Sequence, residues 1–231
     1  MKNRTGEYAD KGDYHLDLDP SWPYLPVYLE KERVVKAFLE KREKTEKIID
    51  LGCGEGYFVK LYRKSGLNII GLDFNYKAEH VLQGDIRKTE QPDKHYDIAM
   101  SLDVIEHLEY EQQEKAILEI ARIIKPGGIF LMSIPNLGHI ASRLSFLTTG
   151  KLLRTSSPDR HPGDRPINEY LEMLNPYFKI KRRIGLFPTF PIISFLTIWK
   201  PARSVFLHKI YNRILAYPNW CFLNIMELER R

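Results

Sequence analysis

Cysteines and long apolar runs are scarce in this sequence, and their scarcity excludes several classes of protein. The 231 residues include two cysteines, Cys53 and Cys221. Cys53 lies in a glycine-rich segment where a disulfide would obstruct a ligand, so we expect reduced thiols in a cytoplasmic protein. The most apolar stretch, 185–199, contains two prolines and is shorter than the roughly 20 residues that a membrane-spanning helix needs. Residues 1–15 have no apolar run, so no secretory signal is predicted.

A strong charge imbalance is also missing. Hydrophobic residues make up 43% of the chain and charged residues 28%, which is typical of a folded domain and excludes global disorder. The formal net charge of +5 is compatible with an anionic substrate, RNA or a membrane surface, and it selects none of them. The length suits one α/β domain.

Short apolar segments alternate with amphipathic ones in the middle of the chain. The predicted strands are 47–51, 68–72, 81–83, 96–102 and 129–134, and the predicted helices are 25–44, 56–64 and 109–124. This alternation favours a mostly parallel sheet with helices on both faces. In such sheets, ligands bind beyond the carboxyl ends of the strands. The pattern becomes less regular after residue 135, where helices over 137–149 and 167–174 and strands over 178–184 and 220–228 are predicted around a polar loop, 150–166.

A glycine-rich loop follows the first strand of this pattern. Asp50 is followed by Gly52, Gly54 and Gly56, which allow a tight turn and close approach of a ligand to the backbone. A dinucleotide-binding loop of the G-x-G-x-x-G type would place its third glycine at Tyr57. The spacing therefore argues against NAD and toward another nucleoside ligand, with a ligand-free strand-to-helix turn as the alternative.

Acidic residues end the next two strands. Asp73 follows the second strand at about the interval at which a carboxylate reaches ribose hydroxyls. Asp85 and Ile86 follow the third strand, where a carboxylate can accept a hydrogen bond from an adenine amino group. The segment 101–108, SLDVIEHL, ends the fourth strand and brings several reactive side chains to the expected crevice.

These segments together resemble the class I S-adenosylmethionine-dependent methyltransferases. The matching segments are IIDLGCGEGYF at 48–58, GLDF at 71–74, QGDI at 83–86, SLDVIEHL at 101–108 and KPGGIFLMSIPN at 125–136. The resemblance implies a Rossmann-like, doubly wound α/β fold with a seven-stranded, mostly parallel sheet whose last strand is antiparallel. It implies one methyltransferase domain over 1–231, with an N-terminal arm and helix (1–46), a cofactor-binding core (47–136) and a substrate-side C-terminal part (137–231).

The resemblance also implies roles for individual residues toward S-adenosyl-L-methionine. Gly52 and Gly54 would hold the methionine part, Asp73 the ribose, and Asp85 the adenine amino group. The residues implied in cofactor binding are Asp50, Gly52, Cys53, Gly54, Asp73, Phe74, Asp85, Ile86, Ser101 and Leu102. One departure concerns the adenine pocket that Phe74 and Ile86 would flank. Only 74–80 joins the second and third strands, which is too short for a normal helical crossover of about ten residues, so an open or differently built wall is expected beside Phe74.

The motifs at 101–108 and 125–136 look most like the small-molecule group, which includes ubiquinone-type O-methyltransferases and glycan or natural-product methyltransferases. We therefore expect in-line methyl transfer to a small-molecule acceptor, with O-methylation favoured and at most one general base. His107 and His139 are the predicted catalytic residues, and His161 ranks third; each has a bracing or loop role as its alternative. No metal site is predicted, because no Cys/His cluster has metal-ligand spacing.

The C-terminal third mixes apolar and basic residues and leaves alternatives open. Residues 179–213 form either a cover over the acceptor pocket or a peripheral contact with a membrane that carries a lipid-linked acceptor. Nucleic acid is disfavoured as a partner because no RNA-binding module is recognisable, although an RNA or protein methyltransferase remains the second hypothesis. The sequence does not determine the oligomeric state.

Overall fold

The fold is known from a computed structural model that describes residues 3–5, 18–154 and 156–231. Most of the predicted N-terminal arm, including residues 6–17, lies outside the described residues. The strands are β1 (Asn3–Arg4), β2 (Lys47–Leu51), β3 (Asn68–Asp73), β4 (Tyr76–Lys77), β5 (Val81–Gln83), β6 (Tyr96–Leu102), β7 (Ile124–Pro135), β8 (Phe178–Pro188) and β9 (Cys221–Arg230). The helices are α1 (Leu25–Leu39), α2 (Tyr57–Lys64), α3 (Tyr110–Ile123), α4 (Ile140–Thr149), α5 (Ile167–Leu174), α6 (Pro191–Trp199) and α7 (Pro201–Ile214), with a 3₁₀ turn at Ile105–His107.

Seven strands form one sheet in the order β5-β3-β2-β6-β7-β9-β8. The pairs from β5 to β7 are parallel, and Ile48 of β2 pairs with Ile69 on one side and Ile98 on the other. β9 runs antiparallel to both of its neighbours, β7 and β8. The prediction of a mostly parallel seven-stranded sheet with an antiparallel last strand is therefore confirmed.

Apolar side chains cover both faces of the sheet because neighbouring strand residues point to opposite sides. Ile48 and Ile98 contribute to a core with α1 and α2, whereas Ile49 and Ala99 contribute to a second core with α3 and α5. All four side chains are fully buried. Helices on both faces thus hold the carboxyl ends of β2, β3 and β6 together at one edge of the sheet, where the candidate site lies.

Several element bounds differ from those predicted. α1 ends at Leu39 instead of residue 44, because residues 40–46 (EKREKTE) offer no apolar side chain to pack. The predicted helix stop at 125–128 is part of β7: Ile124 and Ile129 both pair with β6, and the Pro-Gly-Gly segment between them forms a bulge. Residues 187–217, which carried no assignment, include α6 and α7.

The short connection between β3 and β5 contains no helix. It forms the two-residue strand β4, which pairs antiparallel with β1 in a separate small sheet. Tyr76 of β4 is fully buried, and the backbone N–H of Thr5 donates to the carbonyl of Asn75 at 2.8 Å. The connection thus lacks a crossover helix, as its length predicted. The altered wall expected beside Phe74 stays a prediction.

Candidate cofactor and acceptor site

The glycine loop joins β2 to α2 and needs glycine at specific positions. Gly52, Gly54 and Gly56 have φ values of 74°, 54° and 72°, a region that other residues rarely adopt. A Cβ on Gly52 would also lie 2.5 Å from a methyl carbon of Val104. The loop therefore packs directly against the segment that follows β6, and its backbone N–H groups are brought close to the carboxyl edge of the sheet.

Asp73 at the end of β3 braces this loop. The N–H of Gly54 donates to its Oδ2 at 2.8 Å, and the N–H of Asn75 donates to its Oδ1 at 2.8 Å. Burial raises the pKa of Asp73, while these backbone donors oppose the rise. The backbone of Tyr76 donates to the same carboxylate, so the side chain fixes the loop and keeps at least one lone pair for a ribose hydroxyl.

Asp50, at the start of the loop, is a second buried carboxyl group at this edge. Burial raises its pKa to about 7, and the nearby charge of Asp73 adds to the rise, whereas Lys31 opposes it. A buried carboxyl group that faces another carboxylate gains most from a cationic ligand. The electrostatics of Asp50 thus fit a ligand that carries positive charge.

The residues implied on the adenine side have different environments. Asp85 forms an ion pair with Arg87, whose Nε lies 2.9 Å from both carboxylate oxygens, and this pair lowers the pKa of Asp85. Ile86 is buried in the core, whereas the Phe74 side chain is 62% exposed. The predicted contacts of Phe74 and Ile86 with adenine stay predictions.

The segment after β6 is held by partners that the sequence analysis missed. Asp103 accepts hydrogen bonds from the Tyr24 hydroxyl at 2.9 Å, from Lys31 Nζ at 2.7 Å and from the Ser133 hydroxyl. Burial alone would raise the pKa of Asp103, but the Lys31 charge and these donors hold it below its usual range. Ser101, two residues earlier, is fully buried, and its hydroxyl has no hydrogen-bond partner among the described residues.

Lys31 could have been found from the sequence. It lies four residues from Val27 and four from Val35, which places all three on one face of α1. A lysine inside an apolar stripe signals a buried charge that requires a partner. The identity of that partner depends on the sheet, which brings a residue 72 positions away into contact.

His107 and His161, the first and third candidates, lie together. Their ring centroids are 4.6 Å apart, and the carbonyl oxygen of Arg160 lies 2.9 Å from His107 Nδ1. Burial and the neighbouring His161 lower the pKa of His107, so the ring is neutral near pH 7. Glu106 is buried beside this pair. The sequence did not reveal this cluster, because α3, β7 and α4 lie between His107 and His161 in the chain.

The contacts of His139 are those of a residue that caps a helix. It is the N-cap of α4, where its Nδ1 accepts the N–H of Ser142 at 3.3 Å and lies 2.8 Å from the Thr189 hydroxyl oxygen. The side chain is buried, and burial lowers its pKa to about 4. These contacts favour the bracing alternative for His139, and its catalytic role remains an untested prediction.

Comparison with known proteins identifies a matching family and several relatives. The family model described as "Methyltransferase domain" matches residues 25–177, about two thirds of the chain. A probable S-adenosylmethionine-dependent methyltransferase of Mycolicibacterium smegmatis is 30% identical over 47% of this chain and 46% of its own length. A malonyl-[acyl-carrier protein] O-methyltransferase of Serratia marcescens is 33% identical over 38% of each chain.

One further curated relative and one solved structure are also similar to this chain. A tRNA (carboxymethyluridine(34)-5-O)-methyltransferase of Arabidopsis thaliana is 34% identical over 43% of this chain and 26% of its own length. The chain thus aligns with half or less of these curated relatives. A solved protein of Pyrococcus horikoshii superposes with a TM-score of 0.61 over 98% of this chain and all of that one, at 16% identity, which is a likeness of fold.

Proposed function

This chain belongs to the methyltransferase-domain family, and on that premise we propose that it uses S-adenosylmethionine to methylate a hydroxyl group of a small-molecule acceptor. Both reported relatives whose names specify the acceptor atom act on oxygen, which supports an oxygen acceptor here. The observation that carries the proposal is a neutral, solvent-exposed histidine, His107, beside the segment that touches the glycine loop.

The residues of the loop fit S-adenosylmethionine. The cofactor supplies a methyl group that is already activated on a sulfonium ion. Gly52 and Gly54 adopt positive φ values that permit the tight loop, Asp73 retains acceptor capacity for a ribose hydroxyl, and Asp50 offers a buried carboxylate to the positive charge of the ligand. We propose that these residues hold the cofactor with Cys53, Asp85, Ser101 and Leu102.

His107 is suited to act on an acceptor hydroxyl. The carbonyl of Arg160 can only accept a hydrogen bond, so His107 Nδ1 carries the ring proton and Nε2 keeps its lone pair. A neutral imidazole with a free lone pair can remove a proton as the oxygen attacks the methyl carbon. Methylation of an acceptor without a proton to lose would not need this group.

Calorimetry with S-adenosylmethionine or its demethylated product tests the cofactor site. We expect Asp73→Ala to weaken binding about 10-fold to 100-fold, because hydrogen bonds to a charged group contribute about 1.5–3 kcal/mol and the loop loses its brace. Asp93→Ala is the matched control, because Asp93 lies in an exposed ion pair with Arg122. Equal affinities for both variants would remove Asp73 from the site.

A radiolabelled methyl-transfer assay with phenols, carboxylic acids, amines and bulk tRNA tests the acceptor. We expect transfer to an oxygen of a small molecule, and we expect His107→Ala to lower turnover about 100-fold or more while cofactor affinity changes little. His95→Ala is the control, because His95 lies at the other end of β6. Transfer to amines alone, or to tRNA alone, would contradict the proposal.

A membrane-bound acceptor is the second candidate, and it is favoured by the surface of α6 and α7. Half of the exposed large apolar side chains of the described residues lie between 192 and 220, among them Phe195, Trp199 and Phe206. Residues 173–226 contain eight lysines and arginines and no aspartate or glutamate. No helix in the described part of the chain is long and apolar enough to cross a membrane. An apolar face with basic residues and no acids suits the surface of an anionic bilayer.

Sedimentation with lipid vesicles tests this candidate. We expect the chain to bind vesicles of phosphatidylcholine with phosphatidylglycerol more tightly than phosphatidylcholine alone, and salt to weaken that difference. The double change Phe195→Ser and Trp199→Ser should abolish binding. Leu118→Ser, on the exposed face of α3, should leave it intact. Equal binding by both variants would exclude α6 as the contact.

A further inference from the structure

Three side chains lie close together after β6 and in the loop 150–166, and the proposed function uses only one of them. Glu106 and His107 lie on the 3₁₀ turn after β6, and His161 comes from the loop 150–166. Each offers one ligand atom, and the three atoms lie within 4.8 Å of one another. We propose that Glu106, His107 and His161 bind one divalent transition-metal cation.

Each imidazole has an oxygen atom close to its Nδ1. His107 Nδ1 meets the carbonyl oxygen of Arg160 at 2.9 Å, which leaves Nε2 as its lone-pair nitrogen. His161 Nδ1 lies 3.4 Å from Oδ1 of the buried Asp164, close enough for an ion pair, although the two atoms form no hydrogen bond. Histidines that bind metals commonly direct their second nitrogen toward a carbonyl or carboxylate in this way.

Glu106 has a buried oxygen that requires a partner. Its side chain is 1% exposed, and Oε2 has no hydrogen-bond partner among the described residues. A carboxylate buried without a partner is costly, and a cation bound to that oxygen would remove the cost. The unpartnered oxygen is the observation, independent of the ring geometry, that points to a positively charged ligand.

The donor set favours some cations over others. Two imidazoles and one carboxylate suit Zn²⁺, Co²⁺, Mn²⁺ or Fe²⁺, whereas Mg²⁺ and Ca²⁺ prefer oxygen donors throughout. Three protein ligands leave at least one coordination position open, which is typical of catalytic sites. The cluster follows the segment that packs on Gly52, so the open position would lie on the side of the crevice where the acceptor is proposed to bind.

This inference rests on the proposed function and gives its acceptor a chemical class, namely a hydroxyl compound that binds a metal ion. A cation lowers the pKa of bound water from 15.7 to about 7, and an acceptor hydroxyl bound in the same position would lose its proton to solvent in the same way. The oxygen then forms the bond to the methyl carbon as the C–S bond breaks and its electron pair returns to sulfur. In this arrangement His107 holds the cation and does not itself remove the proton.

Metal titration of the full chain tests the site without any acceptor. After chelator treatment and desalting, we expect one Co²⁺ per chain by visible absorption and one Zn²⁺ by calorimetry, with Mg²⁺ much weaker. His161→Ala and Glu106→Gln should each weaken Zn²⁺ binding at least 10-fold to 100-fold. His95→Gln is the control, because His95 lies at the opposite end of β6. His161 lies in an irregular loop, so its removal should preserve the folded circular-dichroism spectrum and cofactor binding, even if Glu106→Gln fails to fold.

The outcomes separate this inference from the proposed function. Zn²⁺ affinity that is equal in His161→Ala and the wild-type chain, or no binding at micromolar Zn²⁺, would overturn the cation site. Methyl transfer that survives the chelator and needs His107 but not His161 would also overturn it, and would leave His107 as the base. Tight Zn²⁺ binding lost in His161→Ala, together with no transfer to any hydroxyl, would support the cation site and refute O-methylation.

Discussion

Titration of Asp50 should control the affinity for the cofactor. Its carboxyl group has a pKa of about 7 in the cofactor-free protein, because it is buried and lies near the charge of Asp73. We expect the complex to contain the ionised carboxylate, because the ligand carries positive charge. Binding near or below pH 7 therefore has to release a proton, and this requirement lowers the apparent affinity by the factor 1 + 10^(pKa − pH).

The size of the effect follows from that factor. With a pKa of about 7, the penalty is about 1.1-fold at pH 8 and about 11-fold at pH 6, a difference of about 1.4 kcal/mol. A carboxyl group with an ordinary pKa near 4 would give almost no change over the same range. The ligand's own α-amino group titrates near pH 8, so the wild-type affinity alone is not a clean measure.

The assay compares the wild-type chain with Asp50→Asn by calorimetry at pH 6, 7 and 8. The variant cannot release this proton, so the ratio of wild-type to variant dissociation constants should rise about tenfold from pH 8 to pH 6. Buffers with different ionisation enthalpies should reveal up to one more proton released on binding to the wild-type chain than on binding to the variant. A ratio that stays constant with pH would show that Asp50 does not change its ionisation state on binding, and the reasoning would fail.

Three further substitutions test a buried ion pair, the packing of the glycine loop and the burial of a histidine. Lys31→Met leaves a buried aspartate without its cation and should lower the unfolding free energy in urea by about 3 kcal/mol, whereas Lys36→Met, in a more exposed pair, should change it by less than about 1 kcal/mol; equal losses would argue against the buried pair. Gly52→Ala places a Cβ 2.5 Å from Val104 at a positive φ, so cofactor binding should be lost, and wild-type affinity would refute the packing argument. Burial lowers the pKa of His139 to about 4, so its contribution to stability is complete above pH 6.5 and is lost as the pH falls toward 4, by up to about 3 kcal/mol. His139→Ala should flatten this decline of the unfolding free energy at acid pH. An unchanged decline would show that other groups cause it.

Local patterns predicted the sheet and the loop because their causes are local. Strand periods and glycine spacing depend on residues that are neighbours in sequence, and Asp73 ends the strand immediately after the loop that it braces. The sequence also indicated the missing crossover helix, because seven residues cannot contain one. The partner of that connection, β1, could not be predicted, because the contact depends on a two-residue strand about 70 positions away.

Pairs between distant segments account for what the sequence did not predict. Lys31 meets Asp103, and His107 meets His161, only because the sheet order places their elements at one edge. The bulge in β7 was not predicted for a related reason, although the helix before it ends where it was expected to end. Proline and glycine do end α3, but whether they form a loop or a bulge depends on pairing with β6. A segment alone therefore predicts where its helix or strand ends, whereas the residues that it contacts depend on the order of the strands in the sheet.

The distribution of charge connects the site with the surface of α6 and α7. Buried carboxyl groups gather at the carboxyl edge of the sheet, among them Asp50, Asp73 and Glu106, although the whole chain has a net charge of +5. Residues 173–226 contain eight lysines and arginines and no acids, so this segment carries much of the net positive charge. β8 runs parallel to β7, so α6 begins at the same edge of the sheet as the cofactor loop. If the membrane proposal holds, a bilayer that met α6 would face the edge of the sheet that carries the glycine loop, with three strands between α6 and that loop.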